Sequence, residues 1–399
     1  MSEPIKLDMV QTLALAAIVL WIGVVIKKHF KILQKYYIPS PVVSGVIMSF
    51  LVFALRMGGI VTFDFNTTLQ GILMIAFFTT VGFMASFKLL AQGGIGVVIF
   101  LGVATLLVII QDIIGVSLAK VFGLEPLFGL VVGSVPLTGG HGTVGAFATT
   151  IENEYGVKGA ITAGYAAATY GLVMGCLIGG PVGRMIMSMR HVEAHDDKKI
   201  ETEAVKETVS TEPSKEKISP ESLINAAIAI AVAMGIGSYI GPFIKEKFGI
   251  SLPAYIGPML IAALIRNFGD AMKKSVPMVS VDAIGTVCLN LFLSMAMMTL
   301  KLHELLELAI PIMVILIVQT IFVMFFTFFI TYNVMRLPFI GSKYDATVMC
   351  TGHCGFGLGA TPTAIANMTA FCEVNGFSTK AFFIVPLIGA LFIDFTNAA

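Results

Sequence analysis

Residues 350–368, CTGHCGFGLGATPTAIANM, constrain the fold more than any other stretch of the chain. They carry no Lys, Arg, Asp or Glu, which places them at membrane depth, yet they do not suit an ordinary spanning helix. Gly352, Gly355, Gly357 and Gly359 fall within eight residues, and Pro362 follows. Each glycine weakens a helix by about 1 kcal/mol and a proline by about 3 kcal/mol. A helix start comes next, with Thr361 able to cap and Pro362 suited to the first helical position. The pattern predicts a helix into the membrane, a glycine-rich tip, and a second helix back out. Unpaired backbone in lipid costs several kcal/mol per group, so such a tip must be buried in protein or line a wet cavity.

The same design stands earlier, at 133–150, GSVPLTGGHGTVGAFATT. Setting Gly140-His141 on Gly352-His353 places Gly145 on Gly357, an offset of 212. Other landmarks keep nearly that offset in chain order: Ile38-Pro39 with Leu252-Pro253, Phe78 with Phe292, Gln111 with Gln319, and Glu154-Tyr155-Gly156 with Val374-Asn375-Gly376. An internal duplication is expected.

Composition sets the class. Hydrophobic residues make up 57% of the chain, charged residues 12%, and mean hydropathy is +0.92. Soluble domains carry about 25% charged residues, so a polytopic all-α membrane protein is expected. A net charge of +1 gives no sign of a nucleic-acid partner. The first apolar stretch is as long as its successors and lacks a cleavage-like ending, so it reads as a retained helix. The cysteines are odd in number and sit in apolar or hairpin segments, which predicts buried free thiols.

Five spans are expected in each half, against about 20 residues per span. They fall at 9–26, 42–55, 69–87, 95–118 and 160–187, then at 223–240, 253–265, 281–300, 309–332 and 381–397. Hairpins at 125–151 and 344–371 precede the last span of each half. The expected organisation is an N-terminal repeat over 1–190, a linker over 191–219 and a C-terminal repeat over 220–399. The linker is the one hydrophilic block, with 8 acidic residues and 5 lysines. An odd number of spans per repeat inverts the second repeat. With the N-terminus outside, 18 Lys and Arg fall on inner segments and 7 on outer ones, which favours that orientation and a cytoplasmic linker. Both hairpin tips then meet near the midplane, the arrangement of a secondary transporter.

Helix N-termini near Thr143 and Thr361 would point free N–H groups at the membrane centre, where an anion binds. The outgoing half-helix ends near Leu137 and Cys350 would offer carbonyls to a cation. Gly140, Gly352, Gly355 and Gly357 permit close backbone approach to a ligand. Ser134, Thr138, Thr143, Thr361, Thr363 and Asn367 supply neutral donors and acceptors, as does Thr351. A small zwitterion or carboxylate with a hard cation such as Na+ suits this set. His141 and His353 read as structural or substrate-contacting, because the spacing of His353 with Cys350 and Cys354 is not that of a metal site. Neither glycine run has the Lys-Ser/Thr ending of a phosphate loop. Asp112, Asp282 and Asp394 are the intramembrane acids. Asp394 reads as an ion ligand or proton carrier or as a helix-packing hydrogen bond, Asp112 equally as a functional acid or a scaffold polar contact, and Asp282 as a functional acid or a helix cap. Asn290, Ser294 and Asp394 are candidate Na+ ligands.

At these residues the chain resembles the sodium/glutamate symporter family. The resemblance rests on SVPLTGGHGTVGA, GHCGFGLGATPTAIANM, VQTIF and FFIVPLIGALFIDFTNA, and extends over nearly the whole chain. It implies a Na+-coupled glutamate carrier of the bacterial inner membrane, with inverted five-helix repeats, re-entrant hairpins, an elevator-like motion and a homodimer. No cofactor is expected beyond Na+ as coupling ion, and no enzyme activity, since no acid–base–nucleophile set converges. A carrier of another carboxylate on the same fold is the alternative, and an ion channel is the alternative from a different class.

Overall fold

A computed structural model describes residues 4–36, 38–88, 94–193, 218–248, 253–272, 276–300 and 302–398. Most of the linker, 194–217, lies outside the described residues. The chain opens with β1 (Ile5–Leu7), α1 (Met9–His29), α2 (Lys31–Lys35), α3 (Ser40–Met57) and β2 (Phe63–Phe65). Then come α4 (Thr68–Met84), α5 (Gly94–Val121), α6 (Pro126–Val131), α7 (Ser134–Leu137), α8 (Gly140–Tyr155) and α9 (Ala160–Arg190). The second half holds α10 (Pro220–Gly237), α11 (Ile240–Phe248), α12 (Ile256–Ala271), α13 (Met278–Met298) and α14 (Leu302–Phe326). A π-helical turn, Thr327–Thr331, joins α14 to α15 (Tyr332–Met335). The chain ends in α16 (Lys343–Leu358), α17 (Thr361–Asn375), α18 (Thr379–Leu387), a second π turn (Ile388–Phe392) and α19 (Ile393–Ala398).

Among the described residues, seven helical stretches are long and apolar enough to cross a membrane. The other three expected spans are helical but differ. Helix α4 has 17 residues and α12 has 16, and the last span is interrupted by its π turn. At about 1.5 Å per residue, 16 residues cover some 24 Å, less than a bilayer core of about 30 Å. The parallel pairing of β1 with β2, with Ile5 opposite Phe63, has no counterpart in the sequence reading. Asp282 does not cap α13, because Pro277 holds that position and Asp282 lies exposed in the second turn.

The helices pack as two groups. In the first, α1 lies against α3 and α13, while α10 lies against α12 and α4; α4 and α13 run side by side between them. The two sets of contacts mirror each other in detail. Gly45 of α3 seats Met297 of α13, and Gly82 of α4 seats Met259 of α12. Gly23 likewise meets Ser40 across α1 and α3, as Gly237 meets Gly257 and Pro258 across α10 and α12. At each place a Cβ would overlap the partner helix, so the small residue permits the approach that van der Waals packing in lipid requires. The second group gathers α5, α6–α9, α14–α19 and one large apolar cluster. Within the first group Phe77 packs on Phe292 at 5.9 Å and Phe78 on Tyr255 at 4.3 Å, and the second group meets this aromatic layer through Phe147 of α8, whose ring lies 5.6 Å from Tyr255. Gly142 and Gly145 of α8 rest on that layer, against Phe77, Leu289 and Phe292.

Candidate substrate site at the meeting of two broken helices

Both expected hairpins are helix pairs with a break between the arms. The first breaks at Thr138-Gly139, between α7 and α8. The second corrects the sequence reading. Helix α16 does not end near Cys350 but continues through Gly352, Gly355 and Gly357 to Leu358, and only Gly359-Ala360 leave the helix. Helix interiors tolerate these glycines because tertiary contact repays them. A Cβ on Gly355 would overlap Ala364 of the returning arm, one on Gly352 would press on Met368, and one on Gly357 on Leu107. The glycines let the arms touch each other and the surrounding helices; they do not form the tip.

The register of the two hairpins follows from this. The second arms begin at Gly140 and Thr361 and end on positive-φ glycines, Gly156 and Gly376. Their offset of about 220 agrees with the Glu154–Gly156 match and not with the Gly-His match. His141 therefore follows its tip, whereas His353 precedes its own. Thr361 is the first helical residue, Ala360 holds the cap position, and no side chain caps either arm. The helix start on the first hairpin is Gly140, three residues before the expected Thr143, whose hydroxyl donates back to the Gly139 carbonyl at 2.8 Å.

The tips touch. A Cβ built on Gly140 would lie 3.6 Å from the Gly359 carbonyl oxygen. Gly139, Gly140, Gly142, Ala360 and Thr361 are half-buried and Pro362 is exposed, so the two helix starts share one accessible rim. The π turn at Ile388–Phe392 closes on the second tip, with Gly389 against the Thr361 side chain. Asn397 closes on the first, donating from Nδ2 to the Ser134 carbonyl at 3.3 Å. A π turn re-aims the backbone of a helix and often marks a functional site.

Other expected site residues stand behind this rim. Ser134 is buried, and its N–H donates to Asp112 at 3.0 Å, a contact that fits the scaffold reading of that acid. Thr138 donates to Gln111 Oε1 at 2.8 Å. Asn367 Nδ2 donates to the Gly175 and Thr351 carbonyls, at 2.8 and 3.2 Å. Thr363 is fully buried between α16 and α9. His353 is enclosed by the rings of Phe100, Phe326 and Phe356, and its Nδ1 bonds the Thr331 hydroxyl at 2.9 Å. His141 Nε2 bonds the Thr169 hydroxyl at 3.0 Å, and its ring lies over Tyr165. The first π turn holds the same arm: the Thr327 carbonyl accepts from Cys350 Sγ at 3.2 Å, and the Thr327 hydroxyl meets Cys354 Sγ. The cysteines are free thiols as expected, Cys176 half-buried and the other four buried.

Of the candidate ion ligands, Asp394 is half-buried on α19, one turn before Asn397, whose Oδ1 is buried with no partner. Ser294 Oγ is also buried without a partner, while Asn290 donates to the Thr286 carbonyl of its own helix. Among the described residues no group of His, Cys, Asp and Glu is arranged to hold a metal through such side chains.

The sequence reading missed the ladder that positions the second hairpin. Gly171, Gly175, Gly179 and Gly183 recur every four residues on one face of α9. They seat the Leu358 carbonyl, the Gly355 carbonyl, Asn367, and Phe371 with Thr351, in that order. The four-residue spacing was the available signal.

A largely helical chain with seven membrane-length helices among the described residues, and two broken helix pairs meeting tip to tip at a half-buried rim, is a polytopic membrane protein. The family profile described as Sodium/glutamate symporter matches residues 5–377. The Sodium/glutamate symporters of Haemophilus influenzae and Escherichia coli are each 40% identical to the chain and cover 98% of it, with 95% and 96% of their own lengths matched. That of Shigella flexneri is equally similar. The chain belongs to the sodium/glutamate symporter family.

Proposed function

We propose that the protein is a Na+-coupled glutamate carrier of the bacterial inner membrane, and that it binds glutamate on the rim where the two hairpin tips meet. The observation that carries this reading is the juxtaposition of Gly140 and Thr361, two uncapped helix starts from separate hairpins, on one accessible surface. A helix start carries roughly half a positive charge, and discontinuous helices use it to hold a substrate carboxylate. Glutamate brings two carboxylates, one for each start. With no buried Arg at either tip, backbone N–H groups carry the recognition. Gly140, His141 and Thr361 are then the direct contacts of the expected set, and Gly352, Gly355, Gly357, His353, Thr363 and Asn367 shape the hairpin behind them.

The mirrored contacts of α1, α3 and α4 with those of α10, α12 and α13 support two inverted repeats, 1–190 and 220–399, joined by a cytoplasmic linker. The hairpins are then re-entrant, from opposite sides. The two packing groups suit a scaffold and a moving body, whose aromatic boundary carries little polar bonding and lets one slide past the other as an elevator. Asp394 beside Asn397, whose Oδ1 is buried without a partner, is the Na+ site of this reading, and Ser294 on α13, with its buried unpartnered Oγ, is a separate candidate ligand. A homodimer is consistent with the family.

The test is uptake of a labelled amino-acid panel into proteoliposomes with and without an inward Na+ gradient. Glutamate accumulation that requires Na+ is expected. Full accumulation from a proton gradient in Na+-free buffer overturns the coupling, and selective uptake of a different carboxylate overturns the substrate.

A further inference from the structure

Gln111 lies in the middle of α5, outside both hairpins, and is completely buried. Each of its side-chain polar groups reaches a different hairpin. Nε2 donates to the Gly357 carbonyl at 2.8 Å, and Oε1 accepts from the Thr138 hydroxyl at 2.8 Å. Gly357 is in the last turn of α16, where carbonyls lack intrahelical partners, and Thr138 caps the end of α7. One amide thus spans the incoming arms of both hairpins directly beneath the tips. Its own backbone carbonyl is held in turn by Gln319 Nε2 at 2.7 Å.

Gln319 is the residue that the duplication sets opposite Gln111, and it does something else. Among the described residues its side chain bonds only the Gln111 backbone, its Oε1 is buried without a partner, and it reaches neither hairpin. Two glutamines alike in sequence are therefore unlike in structure, and only one joins the tips.

We infer that Gln111 is a positioning residue for transport, setting the separation of the Gly140 and Thr361 helix starts across which the substrate binds. This rests on the carrier reading above. The amide is suited to the task because it offers a donor and an acceptor in one rigid plane, matching a carbonyl on one side and a hydroxyl on the other. Loss of the donor leaves the Gly357 carbonyl with only the Thr138 hydroxyl, at 3.4 Å, a poor distance for an O–H donor.

The experiment compares Gln111→Met, Gln319→Met, Thr138→Val and Thr138→Ser in proteoliposomes, normalised to inserted, monodisperse protein, with KM and Vmax read separately. Wild-type uptake is the first arm: if wild type takes up no glutamate under a Na+ gradient, the carrier reading itself fails. Given wild-type uptake, Gln111→Met is expected to raise KM about tenfold, the scale of a lost buried hydrogen bond with its acceptor left unsatisfied. Gln319→Met leaves KM within about twofold, since its side chain touches neither tip. Thr138→Val raises KM and Thr138→Ser restores it. In the double variant Gln111→Met with Thr138→Val, the increase is no larger than that of Gln111→Met alone, because both remove the same bridge. A purely structural glutamine would lower Vmax and the melting temperature and leave KM unchanged, and that result overturns the inference. If Gln111→Met does not insert, the Thr138 pair decides: an unchanged KM in Thr138→Val overturns it equally.

Discussion

The side chain of Asn367 donates to the Gly175 carbonyl at 2.8 Å, tying the returning arm of the second hairpin to α9 at a point where α9 has no side chain of its own. The same amide reaches the Thr351 carbonyl at 3.2 Å, so three helices are pinned at one place. The bond exists because Gly175 and Gly179 leave room for it, and a Cβ on Gly179 would overlap Asn367.

Glycines of the α9 ladder should therefore be intolerant of bulk, while their neighbour should not. Gly171→Val drives a side chain into the Leu358 carbonyl, and Gly355→Val drives one into Ala364. Each is expected to lower stability by about 1–3 kcal/mol or more through overpacking. Gly180 has nothing within 4 Å of its Cβ position, so Gly180→Ala should be neutral or stabilising by up to about 1 kcal/mol. Thermal melts of the purified variants check this. Equal melting temperatures for Gly171→Val and wild type would refute the close approach.

The two Gly-His pairs should behave differently despite their likeness. His141 lies in the first turn after its tip, and His353 lies inside an aromatic cage before its own. His141→Leu is expected to raise the glutamate KM. His353→Leu should leave KM within about twofold, with any cost falling on stability through the lost bond to Thr331. Similar KM changes in both would restore the equivalence of the two pairs.

Asp394 is half-buried on α19 and Asn has nearly its shape, so Asp394→Asn should insert and purify normally. If it holds the coupling ion, the change removes a ligand charge and raises the Na+ half-saturation of glutamate binding by about tenfold or more. Titrating Na+ at fixed glutamate measures this, and an unchanged half-saturation moves the ion elsewhere.

With the N-terminus outside, 18 positive residues fall on inner segments and 7 on outer ones, and this bias predicts a cytoplasmic linker. A single cysteine placed at Thr208, in an otherwise cysteine-free chain, should react with an impermeant reagent only from the cytoplasmic side. Reaction in intact cells would reverse the inverted-repeat assignment.

The legible parts of the chain were those dictated by solvent and local chemistry. Ten expected spans fall on helices, because long charge-free runs have no other stable state in lipid. Thr361-Pro362 marked a helix start within one residue, because proline favours the first turn. For Asp112 the sequence left a functional acid and a scaffold contact equally open, and the structure shows it accepting from the Ser134 N–H. The glycine run misled, because propensity weighs each glycine against an isolated helix. In the protein Gly352, Gly355 and Gly357 stay helical, because their missing side chains admit Met368, Ala364 and Leu107.

By itself the sequence determined the class, the family, the existence of two interrupted segments and their approximate places. Each depends on composition or on a local pattern along the chain. Only the tertiary structure decided where the second hairpin breaks, that His141 and His353 are not equivalent, and that Gln111 rather than Gln319 joins the tips. Those outcomes turn on which atoms from distant segments fill each space, and a glycine or an amide reads the same in sequence whether it faces a carbonyl, a ring or nothing.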